Sequence, residues 1–156
     1  MYLNLVSLAH KDDYFETPDW LFNKIKSTTG GEYGLDMCAS KENTKCNSYI
    51  TEEMNVLDHN FKEYSKDKII FCNPPRSKNG KFVNKVYEEW QTHNIPFVML
   101  LCWNDLGNKY GDKLISHIIN EDIKVYNLGK IKFYKDGIES EFVSRLTYFW
   151  AWFKSK

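Results

Sequence analysis

The chain has 156 residues, with 21 Lys and Arg balanced by 21 Asp and Glu, so it is long enough to bury one core without disulfides or metal; a second domain and a global field drawing it to nucleic acid are both disfavoured. Hydrophobic residues at 42% and charged residues at 27% fit a soluble globular protein. Cys38, Cys46, Cys72 and Cys102 form no CxxC pair and Met1 to His10 carries no secretory pattern, so they read as reduced thiols of a cytoplasmic protein, with no metal site expected.

After an N-terminal extension over residues 1–12, Thr17-Pro18-Asp19 predicts a helix start: a hydroxyl N-cap, proline at the first position and an acid in the first turn. Trp20, Leu21, Phe22 and Ile25 supply its apolar face, and Gly30-Gly31 ends it. Tyr33 to Cys38 reads as a first strand running into Asp36-Met37-Cys38-Ala39-Ser40. Lys45 to Thr51 reads as a second strand ending at Glu52-Glu53.

A short helix is expected around Leu57 to Tyr64, then the apolar strand Lys68 to Cys72, which stops at Asn73-Pro74-Pro75-Arg76. A buried strand ending this way puts an amide side chain and a proline-fixed backbone at the carboxyl edge of a sheet, where open α/β folds bind ligands. Gly80 to Gln91 is the next helix, with Phe82, Val83, Val86, Tyr87 and Trp90 at helical spacing. Phe97 to Trp103 is the longest apolar run and the candidate central parallel strand.

Asp105 to Asn120 predicts a helix weakened by Gly107 and Gly111. Ile123 to Leu128, Lys130 to Tyr134 and Arg145 to Phe153 then read as strands, with turns at Gly129 and Asp136-Gly137. Alternating strands and helices followed by a terminal hairpin give an α/β chain with a Rossmann-like, mostly parallel sheet and an antiparallel C-terminal hairpin. No Gly-x-Gly-x-x-Gly is present, which disfavours a conventional dinucleotide site. Between Arg76 and Lys85 lie four bases (Arg76, Lys78, Lys81, Lys85) and no acid, a rim suited to phosphates or an ordinary solvated helix face. Aromatic residues at 16% fit either a heavy core or stacking surfaces.

The order Thr17-Pro18, Asp36-Met37-Cys38-Ala39, Glu52-Glu53-Met54-Asn55 and Cys72-Asn73-Pro74-Pro75, with Asn43-Thr44-Lys45-Cys46 and Gly129-Lys130-Ile131-Lys132-Phe133, resembles the phage-type (Dam-like) DNA N6-adenine methyltransferases over roughly Tyr14 to Phe153. The resemblance implies a Rossmann-like methyltransferase fold that uses S-adenosyl-L-methionine to methylate the exocyclic amine of an adenine flipped from double-stranded DNA. It implies Thr17 and Pro18 near the cofactor carboxylate, Asp36 facing its ammonium beside Cys38 and Ala39, Glu52 or Glu53 on its ribose, and Asn55 or Asp58 on its adenine. Asn73 and the Pro74 carbonyl, with Pro75 and position 76, would hold the target amine.

Arginine at position 76 departs from the family's aromatic residue, which stacks on the flipped base, a contact of ~1–3 kcal/mol per base. Three expectations follow: Arg76 stacks on the base; Trp103 or Phe133 supplies the aromatic; or the chain is a catalytically weak or inactive methyltransferase fold binding cofactor, nucleic acid or a host protein. Arg76, Lys78, Lys81 and Lys85 are the expected phosphate contacts. Asn-Pro-Pro also serves enzymes that methylate RNA bases or glutamine, so DNA as substrate rests on the resemblance. A monomer or homodimer is expected, with room for a host or viral protein partner.

Overall fold

The computed structural model describes residues 13–156; the expected extension over residues 1–12 lies outside them. In chain order the elements are α1 (Asp19–Thr29), β1 (Tyr33–Asp36), α2 (Lys62–Ser65), β2 (Ile69–Cys72), α3 (Asn79–His93), β3 (Phe97–Cys102), α4 (Asp112–Ile119), β4 (Ile123–Gly129), β5 (Tyr134–Lys135), β6 (Ile138–Glu139) and β7 (Tyr148–Phe153), with 3-10 turns at Val56–Asp58, Arg76–Lys78 and Trp103–Gly107.

Five strands form one sheet in the order β1-β2-β3-β7-β4. β1, β2 and β3 pair in parallel, while β7 lies antiparallel between β3 and β4, so four of the five strands point the same way. The alternation of side chains along each strand splits the core into two layers. On one face Ile70, Phe97, Met99, Leu101, Phe149 and Ala151 meet Phe82, Val83, Val86 and Trp90 of α3. On the other, Phe71, Val98, Leu100 and Trp150 meet Leu21, Phe22 and Ile25 of α1. A sheet buried on both faces needs unbroken apolar strands, and β3 is buried at all six positions.

Several sequence expectations need correction. The second strand, Lys45 to Thr51, is reduced to a single parallel bridge between Asp36 and Tyr49. Its backbone is committed elsewhere: Lys45 N donates to the Asp36 carboxylate, and Thr44 Oγ1 both accepts from Cys46 N and donates to Cys46 O. The C-terminal strands do not form a simple hairpin. β4 and β7 pair, but residues 130–147 between them carry a separate two-stranded β5-β6 sheet turned by Asp136 and Gly137, both at positive φ, and Lys130 to Phe133 form no strand.

The helix expected from Asp105 is split, and Gly111 shows why. A Cβ there would sit 2.1 Å from the Asp105 carbonyl, so the chain folds back tightly before α4 begins. Thr17 is also not the N-cap of α1. Pro18 takes that position, its carbonyl accepting from Leu21 N and Phe22 N, and the buried Thr17 hydroxyl turns elsewhere.

The aromatic richness is spent mainly on packing. Tyr126 stacks on Trp150 at 3.9 Å, and Trp90 meets Phe153 edge-on while donating from Nε1 to Lys154 O at 2.7 Å. Trp90 is fully buried, so Trp90→Ala is expected to destabilise the fold by ~3–5 kcal/mol, read from urea unfolding. Trp20→Ala, at a half-exposed position on α1, should change stability by ~0.5 kcal/mol or less.

Candidate active site

The carboxyl ends of β1 and β2 open onto a small polar recess of about 240 Å³, lined by Phe15, Glu16, Thr17, Asp36, Cys38, Asn43, Lys45, Phe71 and Asn73. Thr17, Asp36, Cys38 and Asn73 are thus brought together from three separate stretches of sequence. Asp36 is only 3% exposed. Its Oδ1 accepts from Cys38 N at 3.2 Å and its Oδ2 from Lys45 N at 3.0 Å. Burial pushes its pKa from 3.8 up to about 6, partly offset by those two N–H donors and by the charge of Lys45. The Lys45 ammonium itself bonds Asp19 at 2.5 Å.

Asn73 follows β2 directly, and its Nδ2 donates to Phe15 O at 3.2 Å and to Thr17 Oγ1 at 3.1 Å. A backbone carbonyl can only accept, so the amide nitrogen must lie on that side. Oδ1 is therefore turned away from the chain's own anchor, as an acceptor with no partner among the described residues. The segment supplying the anchor is itself fixed: Asp13 accepts from Ser77 N and Ser77 Oγ, and Glu16 exchanges two backbone hydrogen bonds with Tyr134. Residues 13–17 thus form a strap held by these contacts, and Pro74 is buried. Cys72 Sγ, just before Asn73, lies 3.6 Å from Cys38 Sγ; burial, the Cys72 thiol and Asp36 all hold the Cys38 thiol protonated.

The other expected cofactor residues stand apart from the recess. Glu52 and Glu53 are exposed, and Glu52 lies 3.6 Å from the Lys78 ammonium. Asn55 and Asp58 are exposed and bonded to each other at 2.5 Å, Asn55 capping the 3-10 turn at Val56–Asp58. Ala39 N is used to hold Ile50 O at the sheet edge. Conversely, no pattern in the sequence singles out Phe15 or Glu16 as lining residues, because their place depends on the strap; Asn43 and Lys45 belong to a segment that carries the resemblance but had no expected role.

Four expected substrate residues have other occupations. The Arg76 guanidinium donates from Nη1 to Asp105 Oδ2 at 2.8 Å, and Asp105 is 1% exposed. The same carboxylate accepts from Cys102 N and from Tyr110 Oη, so Arg76 completes a polar knot at the end of β3. Burial tends to lower the Arg76 pKa, but the Asp105 hydrogen bond and charge outweigh it and the net shift is upward. Lys85 bonds Glu89 one helical turn on, at 2.7 Å, with its ammonium over the Phe61 ring; helical i,i+4 spacing removes it from the basic rim. Phe133 is buried, stacked on Phe15 and edge-on to Tyr148, which excludes it as an exposed platform. Trp103 keeps one partly exposed face, the other resting on Phe149 while Nε1 donates to Asn127. Lys78 and Lys81 remain exposed. Among the described residues no group of three His, Cys, Asp or Glu is placed to hold a metal ion, and no helix is long and apolar enough to cross a membrane.

Because Asp105 is buried, Arg76→Ala should destabilise the protein by ~3 kcal/mol by leaving that charge short of its partner. Combining Arg76→Met with Asp105→Asn should recover most of the loss. Thermal unfolding of the single and double variants measures both.

Known proteins resemble this chain. Residues 6–143 match the family model described as DNA N-6-adenine-methyltransferase (Dam). The chain is 33% identical over 121 residues to a DNA N-6-adenine-methyltransferase of Haemophilus phage HP1, covering 74% of this chain and 67% of that protein. It is 38% identical over 71 residues to a DNA N-6-adenine-methyltransferase of Escherichia phage T1, covering 46% of this chain and 28% of the other. No solved structure matches significantly. A match running through Asp36, Asn73 and the strap that orients it identifies the chain as a member of the Dam family of DNA N6-adenine methyltransferases.

Proposed function

We propose that this protein transfers a methyl group from S-adenosyl-L-methionine to N6 of an adenine swung out of duplex DNA, on a Rossmann-like methyltransferase fold. The observation that carries the reading is the Asn73 amide, anchored through nitrogen so that Oδ1 faces outward beside a recess containing a buried carboxylate. The sheet order, with one antiparallel strand wedged between parallel ones, supports the fold assignment. The chemistry of the lining suits the amino-acid end of such a cofactor. Asp36 is a buried carboxylate without a bonded side-chain cation among the described residues, the environment an ammonium group would complete, and the Thr17 hydroxyl and Lys45 lie in the same lining. Glu52 or Glu53 would take the ribose hydroxyls, and Asn55 or Asp58 the cofactor adenine. Bound there, the cofactor would supply a methyl group on a sulfonium, a strong electrophile.

The residues of the chain deal with the other reactant. An exocyclic amine is a weak nucleophile because its lone pair is delocalised into the ring. Asn73 Oδ1 and the Pro74 carbonyl would accept its two hydrogens, drawing them out of the ring plane and leaving the lone pair directed at the methyl group. Acceptors fixed in advance are not reorganised during the reaction, which is where preorganised sites gain rate. Lys78 and Lys81 would meet phosphates.

Asn73→Ala should lower kcat for N6-methyladenine formation on DNA by about 10²-fold or more while leaving cofactor affinity nearly unchanged. Thr17→Val should lower kcat less, since the Phe15 carbonyl still orients the amide. Nucleoside mass analysis and calorimetry separate the two effects; a change confined to KM would contradict the role of Asn73.

The Asp36 pKa gives a second outcome. Its folded value lies above its unfolded one, so its contribution to stability is fully present below about pH 3.8 and is lost as pH rises through about 6. A cationic ligand prefers the ionised form, so cofactor affinity should rise between pH 5 and 7. Asp36→Asn should nearly abolish cofactor binding and flatten its pH dependence.

A further inference from the structure

The turn that follows Pro75 is capped by a residue 64 positions away in the sequence. The 3-10 turn Arg76–Lys78 starts after Pro75, whose ring offers no side-chain acceptor, so the first N–H groups of the turn need an acceptor from elsewhere. Asp13 supplies it. Its Oδ1 accepts from Ser77 N at 2.8 Å and its Oδ2 from Ser77 Oγ, which gives the backbone donor a charge-assisted partner.

This contact closes a ring. From Asp13 the chain runs through Tyr14 to Phe15, whose carbonyl accepts from Asn73 Nδ2; from Asn73 the backbone returns through Pro74, Pro75 and Arg76 to Ser77. Two segments far apart in sequence are thus joined at both ends by hydrogen bonds, and the side that carries Asn73 is stiffened by two proline rings. The remaining ties of the strap lie on the far side of Phe15, where Glu16 pairs its backbone with Tyr134 and accepts from Gly137 N through Oε2. Opening the ring at Asp13 therefore leaves the Phe15 carbonyl held from one side. The Thr17 hydroxyl, the other partner of Nδ2, donates as readily as it accepts and does not by itself select which end of the amide faces it.

We infer that Asp13 is a positioning residue for methyl transfer: it closes the ring that keeps the Phe15 carbonyl on the Asn73 nitrogen and Oδ1 turned outward, an inference that rests on the methyl-transfer reading above. Asp13 is not among the residues lining the recess beside Asp36, so its effect is separable from cofactor binding. It acts before the target amine arrives, which places its contribution in the rate of the loaded enzyme.

Two measurements test it. In the first, the Asn73 side-chain N–H resonances of isotope-labelled protein are assigned by their absence from Asn73→Ala, and their exchange with solvent is followed. Exchange should be roughly tenfold faster in Asp13→Ala than in the parent, and close to the parent in Asp13→Asn, which keeps an oxygen for Ser77 N. Equal exchange in the parent and Asp13→Ala overturns the proposal. In the second, Asp13→Ala should lower kcat for N6-methyladenine formation on DNA roughly tenfold, with KM and S-adenosylmethionine affinity unchanged, and Asp13→Asn should recover most of the loss. Added to Asn73→Ala, the same substitution should cost nothing further, because a residue that works through Asn73 has no effect once Asn73 is gone. An equal loss in both backgrounds overturns the proposal. A parent that forms no N6-methyladenine overturns the transfer reading instead, and the exchange measurement then decides whether Asp13 orients the amide.

Discussion

The direction of one amide organises this site. Asn73 can present its oxygen outward only while a pure acceptor holds its nitrogen, and that acceptor is the main-chain carbonyl of Phe15. A carbonyl placed by the backbone keeps its role through side-chain substitution, so the requirement passes to whatever fixes residues 13–17. Three contacts do so: Asp13 on Ser77, Glu16 on Tyr134, and the start of α1 at Pro18. α1 in turn is seated on β2 through Phe22 against Phe71 at 5.1 Å. The strap and the motif it orients are therefore tied to the same strand, from two directions.

Asp36 shows what the arrangement costs. Its carboxylate is buried, two backbone N–H groups solvate it, and the nearby Lys45 ammonium is spent on Asp19. Such a group is less stable ionised than it would be in water, which is what its raised pKa expresses. A site that binds a cation must hold a negative charge short of its full complement before the ligand arrives, so the deficit at Asp36 and its proposed role have one physical origin.

Local pattern made β1, β2, β3, α1 and α3 legible, because each is an apolar run or a 3.6-residue stripe with clear punctuation. It also marked the ends of β1 and β2, where the polar recess opens, since Asp36 and Asn73 are polar groups that interrupt buried strands. The order of the sheet was not legible. Tyr148 to Phe153 reads as strand from its apolar continuity, but its insertion between β3 and β4 is a pairing choice that no local signal carries. The segment Lys45 to Thr51 failed for the opposite reason: it has strand-like residues, and side chains took the hydrogen bonds a strand would need. The surroundings of Lys85 and Phe133 were not legible either, because their partners, Glu89 with Phe61 and Phe15 with Tyr148, decide their exposure.

Arginine at position 76 becomes intelligible from the other end of its hydrogen bond. Asp105 closes the turn after β3 by accepting from Cys102 N and Tyr110 Oη, and the Gly111 backbone lies close against the Asp105 carbonyl. A carboxylate so deeply placed needs a cation, and Arg76 is positioned to supply one from the loop after β2. The charge at 76 is thus a structural tie between the ends of two neighbouring parallel strands, the edge on which the proposed chemistry depends. Holding that edge together and stacking on a mobile base are conflicting demands on one side chain, because the first fixes the guanidinium and the second needs a clear flat face.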